Sequence, residues 1–177
     1  MLGDRWGVTD DEVTRRYPCD EVVPAPNMQV WRGVTVHATP AVVWPWVTQI
    51  QLAPYSYDWI DNFGRRSPQQ LLAIPAPAPG QHFTSTANRP RGRLLSMETQ
   101  VHYTGSILGA VMSYVLVPVG SHTRLLLKVV MNGCGWLAPV VSVGDLVMAR
   151  RQLLNIKGLA ENQPSSNAAD DGRTPIH

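Results

Sequence analysis

The sequence predicts an α+β fold in which a curved antiparallel β-sheet wraps around a long C-terminal helix, and three observations lead there. Strand-like runs at 81–86, 94–103, 109–119 and 123–132 are joined by connections too short for helical crossovers, which makes their pairing antiparallel. Residues 137–161 read as one long helix. The 177 residues, 44% hydrophobic and 16% charged, suffice for one buried core. A sheet closed over the helix is the economical way to bury the apolar faces of both.

Taken in order, residues 1–27 form an N-terminal arm that ends in Val-Val-Pro-Ala-Pro-Asn. Thr9 is placed to N-cap a short helix, with Glu12 three residues on to complete a capping box, and the later prolines end it. Residues 28–37, rich in β-branched and aromatic side chains, are the first strand. Thr39 and Pro40 supply the N-cap and first position of a helix running to Ile50, with Val43, Trp46, Val47 and Ile50 on one face. Pro45 lies deep enough to remove one backbone hydrogen bond, so this helix is expected to be kinked. Residues 54–66 pack four aromatics and close on Gly64, a C-cap after a second short helix. Ile-Pro-Ala-Pro-Ala-Pro-Gly at 74–80 is a semi-rigid extended connector.

Turn signals at 88–92, 104–105 and 118–121 divide the strands that follow. On the long helix, Val143, Leu146, Val147, Leu153 and Leu154 make one apolar stripe and Leu137, Val141, Met148 and Leu159 another. Such a helix is covered on more than one side, or leaves a stripe for a ligand or partner. The domain therefore spans 28–161, and the Asn/Ser/Asp/Pro-rich stretch 162–177 is expected to be a disordered tail.

Several function classes are excluded. The longest apolar stretches, 107–119 and 134–149, are broken by polar residues or proline and fall short of the ~20 residues of a bilayer span. The first residues lack the apolar core and cleavage site of a secretory signal, so the expected location is cytoplasmic. Cys19 and Cys134 lack the spacing of a metal knuckle or redox pair, and His37, His82, His102 and His122 match no zinc signature. No phosphate loop, dinucleotide fingerprint or nucleophile elbow occurs, and no cofactor is expected. The net charge of +2 is unevenly spread: residues 1–21 hold six acids against three arginines, whereas 62–135 hold Glu98 against seven bases. That basic region suits an anionic ligand or solvated strand faces. Arg89-Pro-Arg-Gly-Arg93 lacks interleaved aromatics and reads as a solvated hairpin loop, with no nucleic acid as partner.

Four pieces recur here in a recognisable order: Trp6-Gly-Val-Thr9, Pro40-Ala-Val-Val-Trp-Pro-Trp-Val47, Tyr55-Ser-Tyr-Asp-Trp59 and Met148-Ala-Arg-Arg-Gln-Leu-Leu-Asn-Ile-Lys157. Over residues 6–161 the chain resembles the START-like (SRPBCC) superfamily, in its polyketide cyclase/dehydrase and lipid-transport branch and especially that branch's actinobacterial members. The resemblance implies a helix-grip fold, a seven-stranded antiparallel sheet around the C-terminal helix with a deep apolar cavity. It implies no single reaction. The chain departs from its neighbours after the proline-rich connector, where they commonly carry Gly-Asp and this sequence has Gly80-Gln81.

Tyr55, Tyr57, Asp58 and Trp59 offer two phenols, an indole and a carboxylate beside the implied cavity, able to orient a polar group on a greasy ligand or to pack as a lid. Met148 joins them as a ligand-binding candidate. Arg150 falls on the wheel inside the Val143/Val147/Leu154 stripe, where a buried guanidinium would need Asp58 or Glu98 as its partner. Glu98 and His102 are four apart, an even separation that puts both on one face of a strand, where they would form an acid/base pair inside the cavity. The first reading is binding, with transport, of a small hydrophobic molecule such as a lipid or polyketide. The second is a cyclase/dehydrase-type enzyme in which Asp58, Glu98 or His102 moves protons. The third is an interaction module that docks a partner or forms a homodimer.

Overall fold

The computed structural model describes residues 4–55, 66–132 and 138–163, with backbone alone for 138–147. The expected second short helix, at 54–66, and most of the expected tail lie outside these residues. Helix α1 (Asp10–Thr14) is closed by the anticipated capping box: Thr9 Oγ1 accepts from the Glu12 N–H, and a Glu12 carboxylate oxygen accepts from the Thr9 N–H. Helix α2 (Pro18–Val22) follows, started by a proline.

Strands β1 (Arg5–Trp6), β2 (Met28–Val36), β5 (Arg93–Glu98), β6 (His102–Ile107), β7 (Ala110–Val119) and β8 (His122–Met131) form one sheet in the order β1-β2-β8-β7-β6-β5. Pairing is antiparallel throughout except β1, which runs parallel to β2. Strands β3 (Thr84–Thr86) and β4 (Arg89–Arg91) make a separate hairpin. The seven-stranded sheet implied by the resemblance is thus six strands plus a two-stranded ribbon.

Two expected strand boundaries are corrected. Residues 94–103 are not one strand but a hairpin, turning at Thr99–Val101 between β5 and β6, with Gln100 at φ 62°. The turn expected at Thr104–Gly105 lies inside β6, and the chain reverses at Leu108–Gly109 instead, both at positive φ. Gly105 serves close approach rather than reversal: a Cβ there would lie 2.0 Å from the Phe83 ring. The turn after Pro118 falls at Gly120–Ser121, within the expected range.

The sheet buries both faces. On the inner face, Val30, Val34, Val36, Tyr114, Leu116, Leu125, Leu127 and Val129 pack against helix α3 (Pro40–Thr48) and helix α4 (Ala138–Glu161). Helix α3 begins at Thr39-Pro40, runs through Pro45 and tightens into a 3₁₀ turn at Gln49–Gln51. On the outer face Trp31, Val111, Val115, Leu126 and Val130 pack under Tyr17 and Cys19, so the acidic arm clasps the back of the sheet. Ion pairs fasten it there: Lys128 Nζ to Asp20 at 2.5 Å, and Arg124 to both Glu12 oxygens at 2.8 Å.

Along the described part of α4 the buried apolar residues are Ala149, Leu153, Ile156 and Ala160, one stripe at heptad-like spacing with buried Gln152 beside it. Of the two expected stripes, Leu137, Val141, Val143, Leu146 and Val147 lie outside the described side chains; Met148 lines the cavity between α4 and the sheet, Leu159 packs on the core, and the pairing of Leu153 with Leu154 is corrected. Leu153 and Leu154 part company, Leu154 being 37% exposed, and the stripe is completed by alanines that a search for bulky residues overlooks. Small residues let the helix lie close to the sheet.

Candidate functional site

Between α4 and the sheet lies a cavity of about 230 Å³, lined by Ile50, Phe83, Met112, Tyr114, Leu127, Met148 and Ala149, with Ile107 and the exposed Leu108 also on its wall. Each wall follows from local structure. Alternation along β7 and β8 turns Met112, Tyr114 and Leu127 inward. Phe83 stacks on Tyr103 at 5.3 Å in the space that Gly105 leaves. The Tyr103 hydroxyl donates to the Phe83 carbonyl, and burial pushes its pKa well up, keeping it protonated. The hairpin β3–β4 is anchored by Thr84 Oγ1 donating to the Ile50 carbonyl and Ser85 Oγ to that of Gln51.

The polar element in this wall is a short chain of neutral groups. The Tyr114 hydroxyl donates to Gln152 Oε1 at 2.5 Å, and Gln152 Nε2 donates to the Pro54 carbonyl at 2.5 Å. Among the described residues that line the cavity there is no acid, histidine, lysine, arginine or cysteine. It can shelter an apolar group and offer hydroxyl and amide contacts at one wall, and none of the described lining residues exchanges protons near neutral pH. Among the described residues no three His, Cys, Asp or Glu side chains cluster to hold a metal. No described helix is long and apolar enough to cross a membrane.

The sequence candidates distribute unevenly around this cavity. Met148 lines it. Tyr55, at φ 55°, is buried in the same core but not among the lining residues; Gln49 Nε2 donates to its hydroxyl, its N–H donates to Ser67 Oγ, and Asn155 Nδ2 donates to its carbonyl. Tyr57, Asp58 and Trp59 lie outside the described residues. Arg150 corrects the wheel: it is exposed, its guanidinium 4.8 Å from the Trp6 ring centre, because the buried stripe runs through Ala149 and Leu153. Its charge is therefore met by water and an indole face, and needs no buried acid. Glu98 and His102 are also re-placed. They are neighbours across the β5–β6 hairpin, next to inward-facing Met97 and Tyr103, so both point to the outer face, away from the cavity. There burial, working against the attraction of Glu98 and Glu21, holds the imidazole below its ordinary pKa of 6.5.

Sequence reasoning missed Tyr114, Gln152 and Phe83. For Gln152 a signal exists: an amide one position before Leu153, inside the buried stripe, must find partners. For Phe83 there is none, since its place depends on Gly105, twenty-two residues on.

With the fold and cavity in view, comparison with solved structures is decisive for the architecture. Protein MLL2253 from Mesorhizobium loti superposes with a TM-score of 0.50 at 15% identity, covering 74% of this chain and 95% of that one. Protein NE0264 from Nitrosomonas europaea also gives 0.50, at 11% identity, with 75% and 94% covered. The chain has a helix-grip fold. An AHSA1-like protein from Rhizobium etli matches 85% of this chain and 92% of its own length at 16% identity and a TM-score of 0.45. No protein-family model and no curated protein matches the sequence. At such identities the likeness concerns the helix-grip architecture alone.

Proposed function

We propose that this helix-grip protein is a START-like binder of a small hydrophobic molecule, such as a lipid or polyketide, which it holds between α4 and the sheet. The observation that carries the reading is the cavity of about 230 Å³ whose described lining is apolar apart from neutral hydroxyl and amide groups. It is larger than the ~150 Å³ apolar cavity known to accept benzene. Burying ~200 Å² of apolar ligand surface at ~25 cal/mol/Å² contributes about 5 kcal/mol before ordering costs, enough for binding without chemistry. A cyclase/dehydrase activity would need a proton-moving group at the cavity; Glu98 and His102 face away from it, and Asp58 lies outside the described residues.

The reading is tested by filling the cavity. Ala149 lines it from the helix, and Ala149→Leu puts three more carbons into the space. Titration with phenylnaphthylamine, an uncharged dye that brightens in apolar surroundings, is expected to saturate with the native protein and to weaken at least about tenfold in the variant, roughly 1.4 kcal/mol. Equal affinity in a variant whose circular dichroism is unchanged would remove the cavity as the binding site.

A further inference from the structure

We infer that the molecule taken up is an anionic amphiphile, its apolar part in the cavity and its acid group held at the mouth by Arg89 and Arg91. This rests on the binding reading above and names the ligand class for that same site. In the β3–β4 hairpin Thr86 stands directly opposite Arg89, and Thr84 directly opposite Arg91. Residues directly opposite in an antiparallel pair project from the same face. Thr84 and Thr86 line the cavity, so both arginines rise from the face of the ribbon that forms its wall, and both are exposed. Two residues apart on one strand, their Cα atoms are ~7 Å from each other, and both long side chains can reach one carboxylate, sulfonate or phosphate.

The electrostatics agree with this placement. Neither arginine has an ion-pair partner among the described residues. Glu98, the lone acid of 62–135, sits at the opposite end of β5 from Arg93. The described lining residues are uncharged, so a ligand's ionised group finds no partner among them and is best placed at the mouth, where guanidinium forks match the geometry of an oxyanion. A free acid and an anionic headgroup in a bilayer present the same chemistry, and the test separates them.

The whole chain is titrated with anilinonaphthalene sulfonate and with phenylnaphthylamine, the same ring skeleton without the sulfonate. The native protein is expected to prefer the sulfonate about tenfold, a preference that shrinks at ~1 M salt. Arg89→Gln with Arg91→Gln abolishes it while leaving phenylnaphthylamine affinity unchanged, and the corresponding double lysine variant retains part of it. Equal affinities in the native protein, a salt-insensitive preference, or one that survives in the glutamine variant overturns the inference and leaves the cavity standing. Binding of neither dye overturns the cavity reading with it. Arginine dependence seen with phosphatidylglycerol vesicles and not with the free sulfonate also overturns it, since the arginines would then read a surface and not a cavity ligand.

Discussion

Gln49 shows how much one side chain settles. Enclosed in the core, it donates from Nε2 to the Tyr55 hydroxyl at 2.5 Å and to the Gln70 carbonyl at 2.9 Å, and accepts at Oε1 from the Leu72 N–H at 2.8 Å. It thereby ties both flanks of 55–72 to the end of α3. Gln81 does similar work at the connector, its Oε1 accepting from the Ala78 N–H and from Gln51 Nε2. Gln49→Leu keeps the volume but removes the amide donor of the buried Tyr55 hydroxyl, while the Gln70 carbonyl and Leu72 N–H belong to exposed residues that water can reach. A buried polar group that loses a partner costs roughly 1–3 kcal/mol, so a loss of about 1–2 kcal/mol in urea unfolding is expected, and no measurable loss would show that the amide bonds contribute nothing. Neither glutamine stands out in the sequence, because its partners are backbone groups brought near by the fold.

The β3–β4 hairpin is the element on which the ligand assignment turns, and its register is set by a two-residue turn. Ala87 at φ 49° and Asn88 at φ 63° both adopt the left-handed conformation that matches strand twist. Asparagine tolerates it, while alanine meets a steric cost of roughly 1 kcal/mol. Ala87→Gly is therefore expected to raise stability by about 0.5–1 kcal/mol without altering dye affinity. A decrease would mean that the turn is not the one described. The sequence announces a turn at 88–92, but Gly92 answers a different demand: a Cβ there would lie 2.2 Å from the Ser106 carbonyl oxygen. Turn residues and close-approach glycines look alike until the neighbouring strand is in place.

For the whole molecule, the ties that hold the arm and the helix end respond to acid. Burial opposes ionisation of Glu12, but hydrogen bonds from Arg124 and the Thr9 N–H, with the charges of Arg124 and Arg15, outweigh it and hold the carboxyl below its ordinary 4.5. Burial likewise opposes ionisation of Glu161, which the His37 N–H and Lys157 more than offset. His102 is also depressed, by burial. Each of these groups binds a proton more readily in the unfolded chain, so its contribution is complete above the unfolded pKa and is lost as pH falls through the folded one. Stability is expected to fall first below about pH 6.5, where His102 acts, and more steeply below about 4.5, where the carboxylates act. His102→Gln should flatten the upper limb of a melting-temperature profile. A rise in melting temperature between pH 6.5 and 5 would contradict the placement of these groups.

The sequence by itself determined the α+β class, the first strand, the proline-started helix, the capping box at Thr9 and the long C-terminal helix. All are written in local periodicity and in side chains that bond to their own backbone. Which face of the helix is buried, where Glu98 and His102 point, and that Gly105 makes room for Phe83 were decided by tertiary structure. A wheel counts bulky residues and cannot see that alanines at 149 and 160 let the helix settle on the sheet, and inserting one hairpin turn reassigns a residue pair to the opposite face. The cavity belongs to that second class: it is space between elements, bounded by residues from seven stretches of chain that share no local pattern.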